Sequence, residues 1–522
     1  MNEKLPKYLD WLIPILTCFI GLHFTILGIC KYNLSMIPGD LGDARFNMYV
    51  LEHGYQFITR QVHYFWGAPF FYPYPQAIAL SDNLLGSMPI YAVFRVLSFD
   101  RETSFQFWFI AVCILNFFVT FYVLKKLTNH SILASAGAYI FAFSIFLFCQ
   151  SHHAQTFPRF IMPLVIYWII CYFKDFKLKY FWFILLGIIY EFYCAMYLGI
   201  YLSLCSFILF LILFILNYKE ALTKGLLTLK YLLKILLPIA VSILLIIPLA
   251  YPYWKLYSAT DVRSFNNIFQ TLPIFISYFS APKASVTWGM LFTVGMRDNC
   301  PWWDQQLFVG LIPLLGLIAS IVYFFKRDFV KNNRTLFSIV FTLLLCILLT
   351  MRFGNFTLFK WLFKIPGISS MGTVPRIMNM LLLFFAMIPC LLINSIIKKK
   401  KTLWFSMLLI AVILDNFSNP SLDEPFNKLQ AQNRITPIVE QLNKVNWEEK
   451  DAFAYIPKSG NEVEIQIDAM LASQLVHKPC VNGYSACAPP NFDSFWRMFN
   501  QETLYHWLDL NNINHDDIVE IH

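Results

Sequence analysis

The amino-acid sequence predicts an all-α polytopic membrane protein with about 11 transmembrane helices, followed by a small soluble α+β domain. Three observations predict this fold class. Of the 522 residues, 58% are hydrophobic and 14% are charged, which is too little polar surface to cover a globule of this size. Several apolar runs reach the length of about 20 residues that crosses a bilayer. Basic residues cluster in the short loops between alternate apolar runs, as they do in cytoplasmic loops.

The N-terminal segment predicts an uncleaved first helix at 11–30, because it carries no small-residue cleavage signature. Lys4 and Lys7 precede this helix and place the N-terminus in the cytoplasm. The first exterior loop then covers residues 31–103. This loop is rich in aromatic residues and interrupted by prolines, which is typical of short helices that lie in the membrane interface.

The basic loops place the remaining helices. Helices 2 and 3 begin near residues 105 and 131, and helix 4 ends at a basic turn. The apolar run 181–217 is too long for one crossing and is interrupted by Glu191 and Gly199, which predicts two helices that meet near the exterior face. Helix 7 covers 231–250, and helices 8 to 11 follow. The basic loops contain Lys125 and Lys126; Lys174, Lys177 and Lys179; Lys219, Lys224 and Lys230; Lys326, Arg327, Lys331 and Arg334; and Lys398 to Lys401.

The C-terminal segment differs in composition from the rest, so we divide the chain into a transmembrane domain at 1–416 and a soluble domain at 417–522. This second segment holds 15 acidic and 7 basic residues. Residues 452–456 alternate like a strand, and residues 465–476 have helical spacing. An odd number of helices starting in the cytoplasm puts this domain outside. Cys480 and Cys487 are close enough to form a local disulfide in an oxidising compartment.

The net charge of +9 does not indicate a nucleic-acid partner. The positive charge lies in short loops between apolar runs, and the acidic excess lies in the C-terminal domain. The charge therefore marks membrane topology, and the partner that it indicates is the lipid bilayer.

An acidic cluster follows the first helix and reads P-G-D-L-G-D-A-R-F from Pro38. F-W-G-A-P-F-F-Y-P and S-D-N follow in the same loop, P-G-I-S-S-M-G-T-V-P-R precedes helix 10, and H-K-P-C-V-N-G-Y-S lies in the C-terminal domain. With the long exterior loops, these motifs resemble the GT-C superfamily of polyprenyl-phosphate-dependent glycosyltransferases, in a group of large bacterial membrane proteins. The sequence departs from this pattern before helix 8, where D-Q-Q-L-F-V-G stands in place of an acidic residue and F-P-G.

The resemblance implies an inner-membrane enzyme that transfers a sugar from a polyprenyl-phosphate donor to an envelope glycan, lipid or protein outside the cytoplasm. Such inverting transfer needs a base for the acceptor hydroxyl. Enzymes of this superfamily take that base from the first loop, which makes Asp40 and Asp43 the candidates. The alternative is that both aspartates serve turns and helix capping.

The donor phosphate needs positive charge or a metal. Arg159, Arg263 and Arg376 are the exterior arginines that we expect to contact phosphate, with interfacial anchoring as the alternative. Arg45 and Glu52 lie seven residues apart, which puts them on one face if this stretch is helical. They could orient the substrate or contact its phosphate, and the alternative is a structural ion pair.

His152 and His153 are candidate ligands of a divalent metal, Mg²⁺ or Mn²⁺, together with one of the first-loop aspartates. The alternative is that both histidines are solvated loop residues. Tyr484 lies in a turn that either contacts acceptor glycan or is structural, and Asp82 fits a helix cap better than a second carboxylate of the site.

Two other functional classes fit part of the sequence. A transporter of lipid-linked sugars would place charged residues deep within its helices, whereas the charges here gather at helix ends. A membrane scaffold with a periplasmic binding domain would leave the first-loop carboxylates dispensable.

Overall fold

Long apolar helices make up most of the structure, a computed structural model that describes residues 6, 8–148, 150–259, 264–290, 302–326, 328–365, 367–419 and 425–522. Within these residues, five segments are long and apolar enough to cross a membrane: Arg101–Thr128, Ser131–Phe148, Met196–Leu216, Leu229–Leu256 and Val374–Ile396. Shorter apolar helices add Leu9–Phe24, Leu311–Phe324 and Arg334–Thr350. The predicted class of helical, multi-pass membrane protein is therefore confirmed.

The helices before the C-terminal segment are α1 (Leu9–Phe24), α2 (Ile26–Cys30), α3 (Asp43–Ile58), α4 (Met88–Val96), α5 (Arg101–Thr128), α6 (Ser131–Phe143), α7 (Ile145–Phe148), α8 (Met162–Asp175), α9 (Leu178–Cys194), α10 (Met196–Leu216), α11 (Tyr218–Thr223), α12 (Leu229–Ala259), α13 (Phe265–Thr271), α14 (Leu311–Phe324), α15 (Phe329–Asn332), α16 (Arg334–Thr350), α17 (Phe359–Leu362), α18 (Met378–Ile396) and α19 (Lys401–Asp415). Strands in this part are β1 (Met36–Ile37), β2 (Arg352–Phe353) and β3 (Phe356–Thr357).

Helices α6 and α18 form the centre of the bundle. Both are buried over most of their length, whereas α12 has few buried residues and presents leucine side chains outward. The two central helices approach closely at Gly137, where a Cβ atom would lie 2.8 Å from Cys390 Sγ and 3.0 Å from the carbonyl oxygen of Ala386. Small residues allow such close contact between membrane helices.

Two predicted helix boundaries have different outcomes. The first apolar segment is not one helix: it divides at Thr25, whose Oγ1 donates a hydrogen bond to the Gly21 carbonyl oxygen at 2.5 Å and whose backbone leaves the helical region. The division of 181–217 is confirmed, because Ala195 is extended between α9 and α10. The Oδ1 atom of Asp82 accepts a hydrogen bond from the Met196 amide at 2.7 Å, at the start of α10.

The first loop contains one helix of the kind expected and one that differs. Helix α4 buries Met88, Tyr91 and Ala92 and exposes Val93 and Val96, which suits a position in the membrane interface. Helix α3 is instead buried on nearly all sides, because the C-terminal segment covers it.

The C-terminal segment has the predicted mixture of helices and strands. It contains β4 (Phe426–Asn427), α20 (Lys428–Leu442), β5 (Ala452–Tyr455), α21 (Glu462–Val476), α22 (Asp493–Arg497), α23 (Gln501–Leu510) and β6 (Ile518–Ile521). Strands β5 and β6 pair in parallel, and β4 pairs antiparallel with β1 of the first loop. Between the described residues Cys480 and Cys487 the expected disulfide does not form: Cys480 is buried beside the Asn482 carbonyl oxygen, whereas Cys487 is exposed.

The C-terminal segment docks on the first loop through backbone hydrogen bonds. The Cys480 amide donates to the Pro69 carbonyl oxygen at 2.8 Å, and the Phe71 amide donates to the Asn482 carbonyl oxygen at 3.1 Å. The Trp507 indole donates to the Tyr72 carbonyl oxygen at 2.9 Å. The two segments therefore lie on the same side of the helical bundle.

Candidate functional site

Five parts of the chain that are far apart in sequence meet around Asp43. The Nδ1 atom of His153 lies 3.0 Å from Asp43 Oδ2, and the hydroxyl of Tyr484 donates a hydrogen bond to Asp43 Oδ1. On the other side of the imidazole, Arg376 Nη2 lies 2.7 Å from His153 Nε2. The Nε atom of Arg376 lies 3.5 Å from Asp304 Oδ1. The structure therefore brings together four of the predicted site residues and adds Asp304.

Asp43 is the first residue of α3, and its side chain is partly exposed to solvent. Its side chain is 28% exposed. Burial alone would raise the pKa of Asp43, but hydrogen bonds from His153 and Tyr484 and the positive charge of Arg376 outweigh burial and hold this pKa well below its ordinary value. The Asp43 carboxylate is therefore ionised at neutral pH, and its side chain is partly accessible.

Asp40 has a different place from Asp43. Its Oδ1 atom accepts a hydrogen bond from the Ala44 amide at 3.0 Å, which caps the first turn of α3. The side chain is exposed, yet the protein atoms around it and the negative charge of Asp43 raise its pKa. The capping alternative thus describes Asp40, while the cluster contains Asp43.

A tight backbone contact between two loops positions Asp43 against His153. Gly39 has φ +88°, and a Cβ atom there would lie 2.6 Å from Ala44 Cβ and 2.9 Å from His152 Cα. Only glycine allows this close approach in that conformation. The turn before α3 consequently rests on the turn that carries both histidines.

The contacts of His153 define its tautomer. A guanidinium group can only donate, so Nε2 accepts from Arg376 and the ring proton is on Nδ1, facing Asp43. His153 therefore connects the carboxylate of Asp43 with the guanidinium of Arg376.

Asp304 is the residue of this cluster that sequence reasoning missed. It is 1% exposed and lies in the turn Trp302–Gln305, where Gln305 accepts a hydrogen bond from Ser277 at 2.6 Å. Asp304 Oδ2 is buried without a hydrogen-bond partner among the described residues. Its signal was present: Asp304 opens the D-Q-Q-L-F-V-G segment and is the one acidic residue close before that apolar helix.

Tyr484 reaches Asp43 from a rigid turn. Asn482 bonds both backbone groups of Tyr455, at 2.7 and 3.0 Å, and the Gly483 amide donates to Gln466 Oε1 at 2.9 Å. The Tyr484 ring stacks on Trp496 with centroids 5.5 Å apart. Burial and the charge of Asp43 raise the pKa of Tyr484, so its hydroxyl stays protonated and donates.

Arg45 and Glu52 do not form a pair with each other. Arg45 Nη2 lies 2.6 Å from Asp468 Oδ1 of α21, and both side chains are buried. Glu52 binds Arg95 through two contacts, at 2.7 and 3.0 Å. The two residues share α3, as expected, but each forms an ion pair with a residue of another element.

Another predicted phosphate ligand, Arg159, lies away from the cluster. Arg159 is fully buried in the bundle and donates to the carbonyl oxygens of Phe141 and Asn379, each at 2.8 Å. Arg263 lies outside the described residues.

The described residues include the two histidines that are the candidate metal ligands. No three of their His, Cys, Asp or Glu side chains come together to hold a metal ion. Both ring nitrogens of His153 face protein partners, which leaves this ring no lone pair for a cation. The neighbouring His152 ring lies 4.0 Å away, and burial lowers the pKa of His152 to about 3.

Contrary to expectation, Asp82 does not cap the helix that follows it in sequence but binds the amide at the start of the distant α10, and its pKa is shifted. Burial raises the pKa of Asp82 to about 6, although the Met196 amide and the charge of Arg376 oppose this change. The neighbouring Asn83 accepts a hydrogen bond from the Leu85 amide at 3.0 Å. Asp82 is thus coupled electrostatically to the cluster through Arg376.

Comparison of the chain with known proteins gives no assignment: no protein-family model matches it, and no curated protein matches it. The candidate site therefore rests on its own geometry, an ionised and partly open carboxylate beside a histidine and an arginine.

Proposed function

We propose that this protein is a membrane glycosyltransferase of the GT-C type, which moves a sugar from a polyprenyl-phosphate donor to a glycan, lipid or protein of the cell envelope. One observation carries the proposal: the partly exposed first-loop residue Asp43 is held by His153 within one cluster with the guanidinium of Arg376. A base and a phosphate-binding cation in one site suit displacement at a sugar carbon.

In the proposed reaction, Asp43 accepts the proton of the acceptor hydroxyl as its oxygen forms a bond to the anomeric carbon. The bond from that carbon to the phosphate oxygen breaks, and the polyprenyl phosphate leaves with the electron pair. Arg376 stabilises the charge on the leaving phosphate. Tyr484 and His153 are positioning residues, since they hold the two oxygens of Asp43.

The proposed topology has eleven crossings, with the N-terminus in the cytoplasm of a bacterium and the C-terminal segment outside the inner membrane. Contacts among the basic loops support it. Lys125 lies 3.4 Å from Asp10 at the start of α1, and Arg334 lies 3.2 Å from Glu220. Each contact joins two segments that the basic residues place on the cytoplasmic side, as the proposed topology requires.

A transporter of lipid-linked sugars is the second candidate, and one observation favours it. Glu191 and Arg159 are both fully buried between helices, and both Glu191 oxygens lack a hydrogen-bond partner among the described residues. Buried ionisable residues often line transport pathways. Glu191, however, lies three residues before the end of α9, and Arg159 precedes α8, so both are near the helix ends that carry the site.

Purified full-length protein in liposomes tests the proposal. Liposomes receive a panel of polyprenyl-phosphate sugars with labelled sugar and an envelope extract as acceptor. We expect transfer of label, and we expect Arg376→Gln to abolish most of it while Arg497→Gln, an exposed arginine in α22, leaves it unchanged. Movement of intact labelled lipid across the bilayer without transfer would support the transporter instead, and full transfer by Arg376→Gln would refute the phosphate role.

A further inference from the structure

A second feature lies outside the site, between α13 and the segment β2–β3–α17. A cavity of about 460 Å³ opens here, and Phe265, Phe269, Phe356 and Trp361 form its apolar walls. Its walls also include Lys360 and Lys364. The cavity combines apolar walls with two cations, which complement a lipid that has an acyl chain and an anionic headgroup.

The charges of this region have one sign. Residues 351–377 contain four basic residues and no acidic residue, and residues 264–290 contain no acidic residue either. Lys360 and Lys364 are exposed, and both line this cavity. Lys364 Nζ lies 4.9 Å from the centre of the Trp361 ring, and Arg352 lies over the Phe269 ring at 5.1 Å.

The surface around the cavity is exposed and apolar. Trp361 is 68% exposed, and Phe356 is 59% exposed. Tryptophan and phenylalanine beside lysine are typical of segments at the boundary between headgroups and acyl chains. The segment lies between the ends of α16 and α18, on the same side of the bundle as the Asp43 cluster. Its lysines are therefore exceptions to the basic residues that mark the opposite side.

We infer that this cavity binds one anionic phospholipid of the bilayer, with its phosphate between Lys360 and Lys364 and an acyl chain against Trp361 and Phe356. Complementary charge supports this occupant, since the described residues that line the cavity offer two cations and no carboxylate. The inference does not depend on the proposed glycosyltransferase activity.

Native mass spectrometry of the full-length protein in detergent tests the inference. Phosphatidylglycerol is titrated into the wild type, into Lys360→Gln/Lys364→Gln, and into the control Lys444→Gln/Lys458→Gln, which removes the same charge from exposed positions of the C-terminal segment. Each lysine near an anionic headgroup contributes a few-fold in affinity, so we expect roughly 30-fold weaker binding of one lipid by the first variant only. Zwitterionic phosphatidylcholine should bind weakly to all three proteins.

A second measurement locates the acyl chain. Phosphatidylglycerol with brominated acyl chains should quench part of the tryptophan fluorescence, and this part should disappear in Trp361→Phe. Equal phosphatidylglycerol affinity in the wild type and the Lys360/Lys364 variant would overturn the inference. If the wild type bound phosphatidylcholine as tightly as phosphatidylglycerol, the inference would be overturned as well. Quenching that is unchanged in Trp361→Phe would also overturn it.

Discussion

The two first-loop aspartates offer the sharpest test of the proposed mechanism, because the structure gives them different contacts. Asp43→Asn keeps an oxygen for the Tyr484 hydroxyl but has almost no basicity. If Asp43 is the base, turnover should fall by about 10² to 10⁴, which corresponds to about 3 to 5.5 kcal/mol of transition-state stabilisation. Asp40→Asn keeps the cap of α3, because Asn and Asp cap helices about equally well, and turnover should change by about twofold at most.

The contacts of Asp43 also predict the effect on stability. Arg376 keeps the His153 proton on Nδ1. In Asp43→Asn, an amide whose oxygen still accepts from Tyr484 therefore points its NH₂ group at the N–H donor of His153. If the amide turns the other way, it loses the hydrogen bond with Tyr484 instead. One unsatisfied group at a partly open position costs about 1 kcal/mol. Asp43→Asn should therefore still fold, with a slightly lower melting temperature than Asp40→Asn.

The assay is sugar transfer in liposomes that hold equal amounts of wild type, Asp43→Asn or Asp40→Asn, with thermal unfolding measured on the same samples. Donor binding should persist in both variants, because Arg376 is unchanged. Near-normal transfer by Asp43→Asn would refute the assignment of the base. A large loss in Asp40→Asn with intact folding would show that the capping residue, and not the residue in the cluster, carries the chemistry.

The remaining predictions concern stability, pH, metal and topology. Arg45→Met should lower the free energy of unfolding by about 3 kcal/mol, measured by thermal unfolding with Arg497→Met as the control. This value is at the low end for a broken buried ion pair, because Arg434 still contacts Asp468. Asp82 has a folded-state pKa of about 6, above its unfolded value, so its contribution to stability is full below about pH 4 and is lost as pH rises through 6. Asp82→Asn should remove this loss, and its melting temperature should exceed that of the wild type more at pH 7.5 than at pH 5. Sugar transfer should survive EDTA, because the His153 ring has no nitrogen available for a metal; loss of transfer in EDTA with recovery in Mn²⁺ would contradict this interpretation. Alkaline phosphatase fused after residue 415 should be active and fusions within 326–334 inactive; the reverse pattern would invert the proposed topology.

Local sequence patterns predicted the helices and strands, because the formation of these elements depends on the residues within each segment. Apolar length and basic loops located the helices, and the interruption by Glu191 and Gly199 marked the break that the structure places at Ala195. The alternation at 452–456 likewise predicted β5, at Ala452–Tyr455. Bilayer thickness and backbone hydrogen bonding act on each segment alone, so a single segment carries the signal.

The partners of charged residues were not predictable in this way. The partner of Arg45 is Asp468, 423 residues later, and neither local spacing nor composition connects the two. Asp304 was set aside because its surrounding motif departs from the family pattern, although its carboxylate faces Arg376. Such pairs form only when helices and strands that are distant in sequence pack together, and a single sequence carries no local signal for that packing.

The contact between Asp43 and Tyr484 has a consequence for how the protein is made. These residues are 441 positions apart, so a ribosome working at ordinary speed finishes Tyr484 roughly 20 to 90 s after Asp43. During this interval the nascent chain carries the carboxylate without its hydroxyl donor, and α3 lacks the cover that α21 supplies. The proposed site at Asp43 is therefore complete only after the late-synthesised segment has docked.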